Sequence, residues 1–249
     1  MQTLPASLFS KKLLRPLGEA IADFKMIQEG DRILLGLSGG KDSLSLLHLL
    51  KRLQQRAPVQ FKLGAITIDP QVDSFDPSPL IPYLKSQGID YHYQPYAIEK
   101  LAQKHLGKSS YCSFCARLKR GKIYQIAREQ GYNVIALGQH LDDLAESFLM
   151  SAFFNGQLQT MKAHYRNDDG DLRIIRPLVY CRETQLAEFA QKAQLPVIAE
   201  NCPACFQKPQ QRQAMKNLLA QQAEQHLTLF HNLRHTLQPL MQSDNHKVS

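Results

Sequence analysis

The chain has 249 residues, enough for one large domain or for one domain with a small extension. Thirteen Gly and thirteen Pro are too few for a low-complexity chain, and no apolar run approaches the length that spans a bilayer. A net charge of +8 favours a polyanionic partner, because lysines and arginines that meet phosphates release counterions; an ordinary enzyme with a basic surface is the alternative.

The first residues, MQTLPASLFSKKLLRPLGEAI, have no apolar core followed by a small-residue cleavage site. They read as an amphipathic surface helix rather than a transit peptide, and the expected location is soluble and cytoplasmic. The pattern predicts a helix over 10–28, with Leu14, Leu17, Ile21 and Phe24 near one face. Residues 32–37 form a short apolar run of strand type that leads directly into Ser38-Gly39-Gly40-Lys41-Asp42-Ser43. A leucine-rich helix over 43–53 follows, with a wide buried face. A second strand over 61–68 ends at Asp69-Pro70, and a loop rich in Asp, Ser and Pro comes next. Residues 79–87 suit a helix ended by Gly88, and 90–95 a third strand whose polarity places it near an edge.

A helix and a polar loop are expected over 97–110, and then a helix over 112–131 with a cysteine pair near its start. Residues 133–137 form a fourth strand, followed by Gly138-Gln-His-Leu-Asp-Asp143 and a helix through 154. A fifth strand is expected over 172–175, a helix over 183–194, and a short extended piece over 195–199. A second cysteine pair and a Gln-rich helical tail complete the chain.

Strands alternating with helices give an α/β fold, with a parallel five-stranded sheet flanked by helices in the Rossmann-like manner. The chain divides into a helical extension (1–28), a catalytic domain (29–200), and a segment (201–249) with the second cysteine pair and a tail packed on the same domain. Right-handed crossovers would put the ends of strands one, two and four at one edge. The 38–43 segment, Asp69 and the 138–143 segment would then meet in one crevice.

The chemistry of residues 38–43 can be stated directly. Two glycines after a strand let the backbone turn tightly and expose its N–H groups. Those amides, with the positive end of the following helix, can hold a pyrophosphate. Lys41 adds a mobile positive charge, and Ser38 and Ser43 offer hydroxyls. Asp42 can cap the helix or help to position a magnesium ion. The loop is not Walker A, which is longer and ends in Gly-Lys-Ser/Thr. SGGKDS resembles the signature of the PP-loop ATP pyrophosphatases. The resemblance implies that ATP is split between its α- and β-phosphates and that AMP is placed on a carbonyl-type oxygen, to be displaced by a nucleophile. It also implies that Ile68 and Asp69 lie near adenine or ribose and that Gly138 approaches the nucleotide. An ordinary loop start is the alternative for Asp69-Pro70.

Five cysteines are present, four of them in the pairs Cys112-Ser-Phe-Cys115 and Cys202-Pro-Ala-Cys205. Two thiolates from one turn suit a metal, and four fit either a closed zinc site or an iron–sulfur cluster. A redox disulfide and buried thiols are the other readings. Cys181 stands alone and reads as a small buried apolar residue.

YCSFCARLKRG, ALGQHLDDLAESFL, IRPLVYCRE and CPACFQKPQQRQ, in that order, resemble the tRNA 2-thiocytidine synthetase family. The similarity runs over about residues 20–225. It implies an ATP-dependent tRNA sulfurtransferase that activates C2 of a cytidine in the anticodon loop and replaces its oxygen with sulfur. The family also resembles 2-thiouridine synthetases that carry a [4Fe-4S] cluster on three cysteines, with one iron open. Carried onto this chain, the ligands are Cys112, Cys115 and Cys205, with Cys202 nearby but not required. The implied cofactors are ATP, Mg2+ and the cluster. The implied partners are tRNA and a cysteine desulfurase, and a homodimer is left open. Phe206 stands where the family has glycine, and Gln139 where it commonly has histidine.

Asp142 and Asp143 begin a helix, so they suit N-capping, or else magnesium binding or substrate activation. By resemblance to the thiouridine enzymes one of them lies in the active site with Lys119; spacing favours Asp143. Lys119 sits one turn after Cys115 and can face the same cavity or contact RNA. His140 suits a satisfied residue at a helix start, and Arg176 a loop support. Arg117, Lys119, Arg120, Lys122, Lys208 and Arg212 flank the cysteine pairs and would form a basic rim for a splayed RNA loop. Two alternatives use fewer of these features: a PP-loop enzyme acting on another base, of thiouridine or lysidine type, and a zinc-stabilised RNA-binding protein.

Overall fold

A computed structural model of the protein describes residues 4–72, 74–98, 111–198 and 210–242, without the side chains of 111–113 and 210. The helix expected from 97, the Cys112 side chain, and Ala199, Cys202, Cys205, Phe206 and Lys208 lie outside the described residues, the helix except for its first two positions.

Helix α1 (Lys11–Asp23) buries Leu13, Leu17 and Ala20, one stripe at helical spacing. It ends earlier than the pattern suggests. Lys25 takes φ +47, the Lys25 amide donates to Ala22 O at 3.1 Å, and the Met26 amide donates to Ile21 O at 3.0 Å. That pair of bonds closes the helix in a left-handed cap built without glycine.

Strand β1 (Asp31–Gly36) leads through residues 37–40 into α2 (Lys41–Gln54). Then come β2 (Phe61–Asp69), α3 (Leu80–Ser86), β3 (Asp90–Pro95), α4 (Tyr111–Glu129), β4 (Val134–Ala136) and α5 (Leu141–Asn155). The order ends with β5 (His164–Arg166), β6 (Arg173–Ile175), α6 (Glu183–Lys192), α7 (Gln210–Gln225) and α8 (Leu229–Met241).

The sheet runs β3-β2-β1-β4-β6-β5, parallel throughout except for β5, which pairs antiparallel with β6. The five-stranded parallel sheet is therefore corrected to a mixed sheet of six. The added strand is three residues long, HYR, half-buried and at an edge, so it has no apolar alternation to betray it. Asn167 closes its return to β6: its amide donates to Leu172 O, and its Oδ1 accepts from the Leu172 amide, both at 3.0 Å. The polar strand β3 does lie at the other edge, whereas residues 195–198 are irregular and join no strand.

Alternation along β1 builds a core on each face: Ile33 and Leu35 point into one, Leu34 into the other. The larger core takes side chains from α1, α2, α5, α6, α7 and α8, including Leu17, Leu47, Leu144, Leu186, Leu219 and Leu237. The smaller lies under α4, with Ala127, Tyr132, Ile135 and Leu172. Cys181 is fully buried in the larger core, where burial pushes its thiol up to about 12. No described helix is long and apolar enough to cross a membrane.

Candidate active site at the carboxyl edge of the sheet

Strand β1 has β2 on one side and β4 on the other, so the chain reverses its direction of progress across the sheet at this point. Beyond the carboxyl ends of such strands lies the natural binding crevice of an open α/β sheet. Residues 38–40 turn there into the N-terminus of α2. The Gly40 amide donates to Ser38 Oγ at 3.3 Å, Ser43 Oγ donates to Gly40 O at 3.0 Å, and the two serine hydroxyls lie 3.2 Å apart. Gly39 has φ +87, and a Cβ there would sit 2.2 Å from Ile198 Cγ1, so only glycine fits. The Ile198 amide donates to Gly39 O at 3.0 Å. Residues shortly before the second cysteine pair are thus strapped across the loop.

The loop after β4 presses on the same helix start. A Cβ on Gly138 would lie 3.3 Å from the Ser43 backbone, and His140 Nε2 is 3.7 Å from Asp42 Oδ2. The 38–43 and 138–143 segments therefore meet, as the crossovers require. Ile68 and Asp69 end β2 on the same edge, both largely buried. Asp69 accepts the Gln71 amide at 2.8 Å and the Tyr93 hydroxyl, and no described contact joins it to the loop.

The acidic residues divide by their partners. Asp143 and His140 form a capping box: the His140 amide donates to Asp143 Oδ2 at 3.0 Å, and the Asp143 amide donates to His140 Nδ1 at 3.3 Å. Because Nδ1 accepts, the ring proton belongs on Nε2, which faces Asp143 and Asp42. Asp142 instead caps α6: it accepts the Glu183 amide at 2.8 Å and Arg182 Nε at 3.1 Å. Both aspartates are thus built into helix starts, as the capping reading expects. Asp42 is different. Its Oδ2 meets Lys41 Nζ at 3.1 Å, while its Oδ1 is buried without a partner. Burial raises the carboxyl's pKa against the opposing pull of His140 and Lys41.

Four cations neutralise this floor. Lys41 Nζ also reaches Glu183 Oε1 at 3.0 Å, and Lys216 Nζ lies 2.8 Å from Glu183 Oε2. Arg212 spans Asp143 at 2.6 Å and the buried Glu146 at 2.8 Å, and Arg182 holds Asp142. Burial pushes the Glu183 carboxyl up, but hydrogen bonds from Lys216 and Lys41 outweigh it and hold the group down at about 2. Arg212, expected on a basic rim, has a half-exposed side chain that is paired with two carboxylates of the floor. Glu183 closes the IRPLVYCRE motif that carries the family resemblance, but nothing in the sequence assigns it a role, and Lys216 has no sequence signal at all.

Helix α4 stands on the other side of the crevice. Cys115 and Lys119 lie four residues apart on it, both half-buried, and no described contact brings Lys119 to the acidic floor. Arg117 and Arg120 are exposed on it and have no carboxylate partner among the described residues. Lys122 Nζ rests 5.8 Å from the Tyr96 ring centre. Arg176 is nine-tenths buried, stacks 5.4 Å from the Tyr165 ring centre, and donates to Gln139 Oε1 at 3.0 Å and Lys162 O at 2.6 Å. It pins the loop after β4.

Residues 9–222 match the PP-loop domain family. A tRNA-cytidine(32) 2-sulfurtransferase of Geobacter sulfurreducens is 44% identical over 214 residues, covering 85% of this chain and 82% of that protein. One from Pelobacter propionicus is 44% identical over 220 residues, covering 88% and 81%. Among solved structures, the U34-tRNA thiolase of Methanococcus maripaludis with its [4Fe-4S] cluster superposes with a TM-score of 0.75 at 19% identity, over 92% of this chain and 78% of that one.

Proposed function

The chain belongs to the PP-loop family and, within it, to the tRNA-cytidine(32) 2-sulfurtransferases, and from that premise we propose how its residues divide the reaction. It is an ATP-dependent sulfurtransferase acting on tRNA, and the target is the base that its relatives' names specify. The cytidine C2 oxygen attacks the α-phosphorus of ATP, and pyrophosphate leaves. Sulfide then adds to C2, and AMP departs with the former carbonyl oxygen. The observation that carries this reading is the meeting of the glycine turn, Lys41 and the buried Asp42 at the start of α2.

In this reading Ser38, Gly39, Gly40 and Ser43 receive the β- and γ-phosphates on backbone and hydroxyl donors. Lys41 has two of its three protons directed to Asp42 and Glu183, and the third serves the phosphates. The partnerless Asp42 Oδ1 fits a hard cation, so Asp42 is the residue that would hold Mg2+. Gly138 lets the β4 loop approach, and Ile68 and Asp69 flank the nucleoside end. Asp143 and Lys119 are the groups assigned to the substrate base. Asp142 serves the site through Arg182 and the Glu183 amide.

Cys112, Cys115 and Cys205 would hold the [4Fe-4S] cluster. Their donor set fits: Cys112 and Cys115 stand three residues apart at the start of α4, and thiolates are the ligands such clusters take. When bound, such a cluster has an iron open to sulfide. A cysteine desulfurase is the expected origin of that sulfur. Nucleoside analysis of tRNA from cells with and without this protein tests the assignment: 2-thiocytidine should disappear in its absence. Unchanged 2-thiocytidine would defeat it.

A further inference from the structure

We propose that Glu183 is a positioning residue that aims the Lys41 ammonium into the phosphate loop and, through Lys216, joins that loop to helix α7. The proposal rests on the nucleotide reading above. Glu183 opens α6, and its backbone amide is fixed on Asp142 Oδ2 at 2.8 Å. The side chain is therefore launched from a pinned point. Its Oε1 accepts both Lys41 Nζ and Lys216 Nζ at 3.0 Å, and Lys216 Nζ also lies 2.8 Å from its Oε2. One carboxylate thus ties together residues far apart in the chain, on α2 and α7.

Lys41 illustrates why such a group is needed. A lysine ammonium is a point charge on a flexible stem with three rotatable donors, so it does not orient itself. Asp42 and Glu183 take two of those donors and fix the direction of the third. A polyphosphate on the third donor adds negative charge close to Glu183, and Lys216 is the second cation that offsets it. The two lysines and the carboxylate form one linked charge set, so nucleotide binding and the seating of α7 must influence one another reciprocally.

Helix α7 has no other charged link to the phosphate loop among the described residues. Arg212 reaches Asp143 and Glu146 on α5, and Met215 and Leu219 pack in the core. Lys216 is the contact that reports on the loop itself. Its side chain is 46% exposed, so the coupling it carries is modest, a factor of about two to five.

The test combines nucleotide affinity with backbone hydrogen exchange, using full-length protein and α,β-methylene-ATP with Mg2+. The wild type should bind, and amides in 211–220 should exchange about two- to fivefold more slowly on binding. Lys216→Met should lose that slowing and lose affinity by the same modest factor. Glu183→Gln should lose it too, with affinity falling about tenfold, and Glu183→Asp should recover part of both. Slowing that persists in Lys216→Met, or Glu183→Gln binding as tightly as wild type, would overturn the proposal. Nucleotide binding by the wild type with unchanged exchange in α7 would also overturn it, leaving the nucleotide reading standing. No binding by the wild type would remove both.

Discussion

Gly39 shows how one residue fixes two parts of the site at once. Its φ of +87 disfavours any side chain, and Ile198 occupies the space that a Cβ would enter. Gly39→Ala must therefore strain the turn, displace Ile198, or both. The expected cost is about 1–3 kcal/mol in unfolding free energy, and nucleotide affinity should fall at least tenfold. Denaturant unfolding and titration with α,β-methylene-ATP measure the two; wild-type values in both would show that the loop relaxes freely. His48 makes a prediction about pH. It is buried in α2, 2.5 Å from the Tyr83 hydroxyl, and burial together with the Lys51 charge pushes it down to about 4. Its ordinary value is about 6.5, so between the two values the unfolded chain binds the extra proton. Stability from this group is complete above pH 6.5, falls as pH drops, and stops falling near pH 4. The loss across that window is about 3 kcal/mol. In unfolding curves from pH 7 to pH 4, His48→Gln should lose most of this slope. An unchanged slope would place the acid sensitivity elsewhere.

Helix α4 and helix α7 both bring cations to the crevice, but to different effect. On α7, Arg212 and Lys216 are spent on Asp143, Glu146 and Glu183. On α4, Arg117 and Arg120 stay exposed without a carboxylate among the described residues. An RNA backbone gains from cations that are still free to release counterions. The tRNA is therefore expected on the α4 side. Arg117→Ala and Arg120→Ala should each lower the slope of log Kd against log salt by about 0.7–0.9 for the modified tRNA. Lys192→Ala, whose charge is paired with Glu188 on α6, should leave the slope unchanged. Equal slopes in all three proteins would reject this face. The contrast between the two helices also shows what sequence could and could not convey. Elements with strong periodicity were legible: α2 through its leucines, β1 through its apolar run, and β3 as an edge strand through its polarity. Strand β5 was not, because three polar residues at an edge carry no pattern. The site was legible where backbone geometry dictates residue type, as at Gly39 and Gly138. It was not legible where a role depends on which partner arrives from elsewhere in the chain. Arg212 looked like one more cation in a basic stretch, and only the packing of α7 on α5 turns it toward Asp143.

At the scale of the whole molecule, the described residues on either side of the second cysteine pair both meet the nucleotide site. Ile198 is bound to Gly39 on one side of that pair, and Arg212 and Lys216 are bound to the acidic floor on the other. Cys112 and Cys115 start the helix on the opposite side of the crevice. In the proposed function a sulfur-carrying centre on Cys112, Cys115 and Cys205 serves the activated base. Protein purified without oxygen is then expected to contain iron and labile sulfide. Cys112→Ala should lose both and still fold, because α4 is held down through Leu118, Ile123 and Ala127 in the smaller core. Cys202→Ser should keep its iron. Cys181→Ala should as well, since Cys181 is fully buried in the larger core while Cys115 packs against the smaller one. Metal analysis and the visible absorption of the cluster read all four proteins. Stoichiometric zinc without iron in the wild type would overturn the cluster assignment and leave the nucleotide site intact. Iron retained in Cys112→Ala would move the ligand set away from α4.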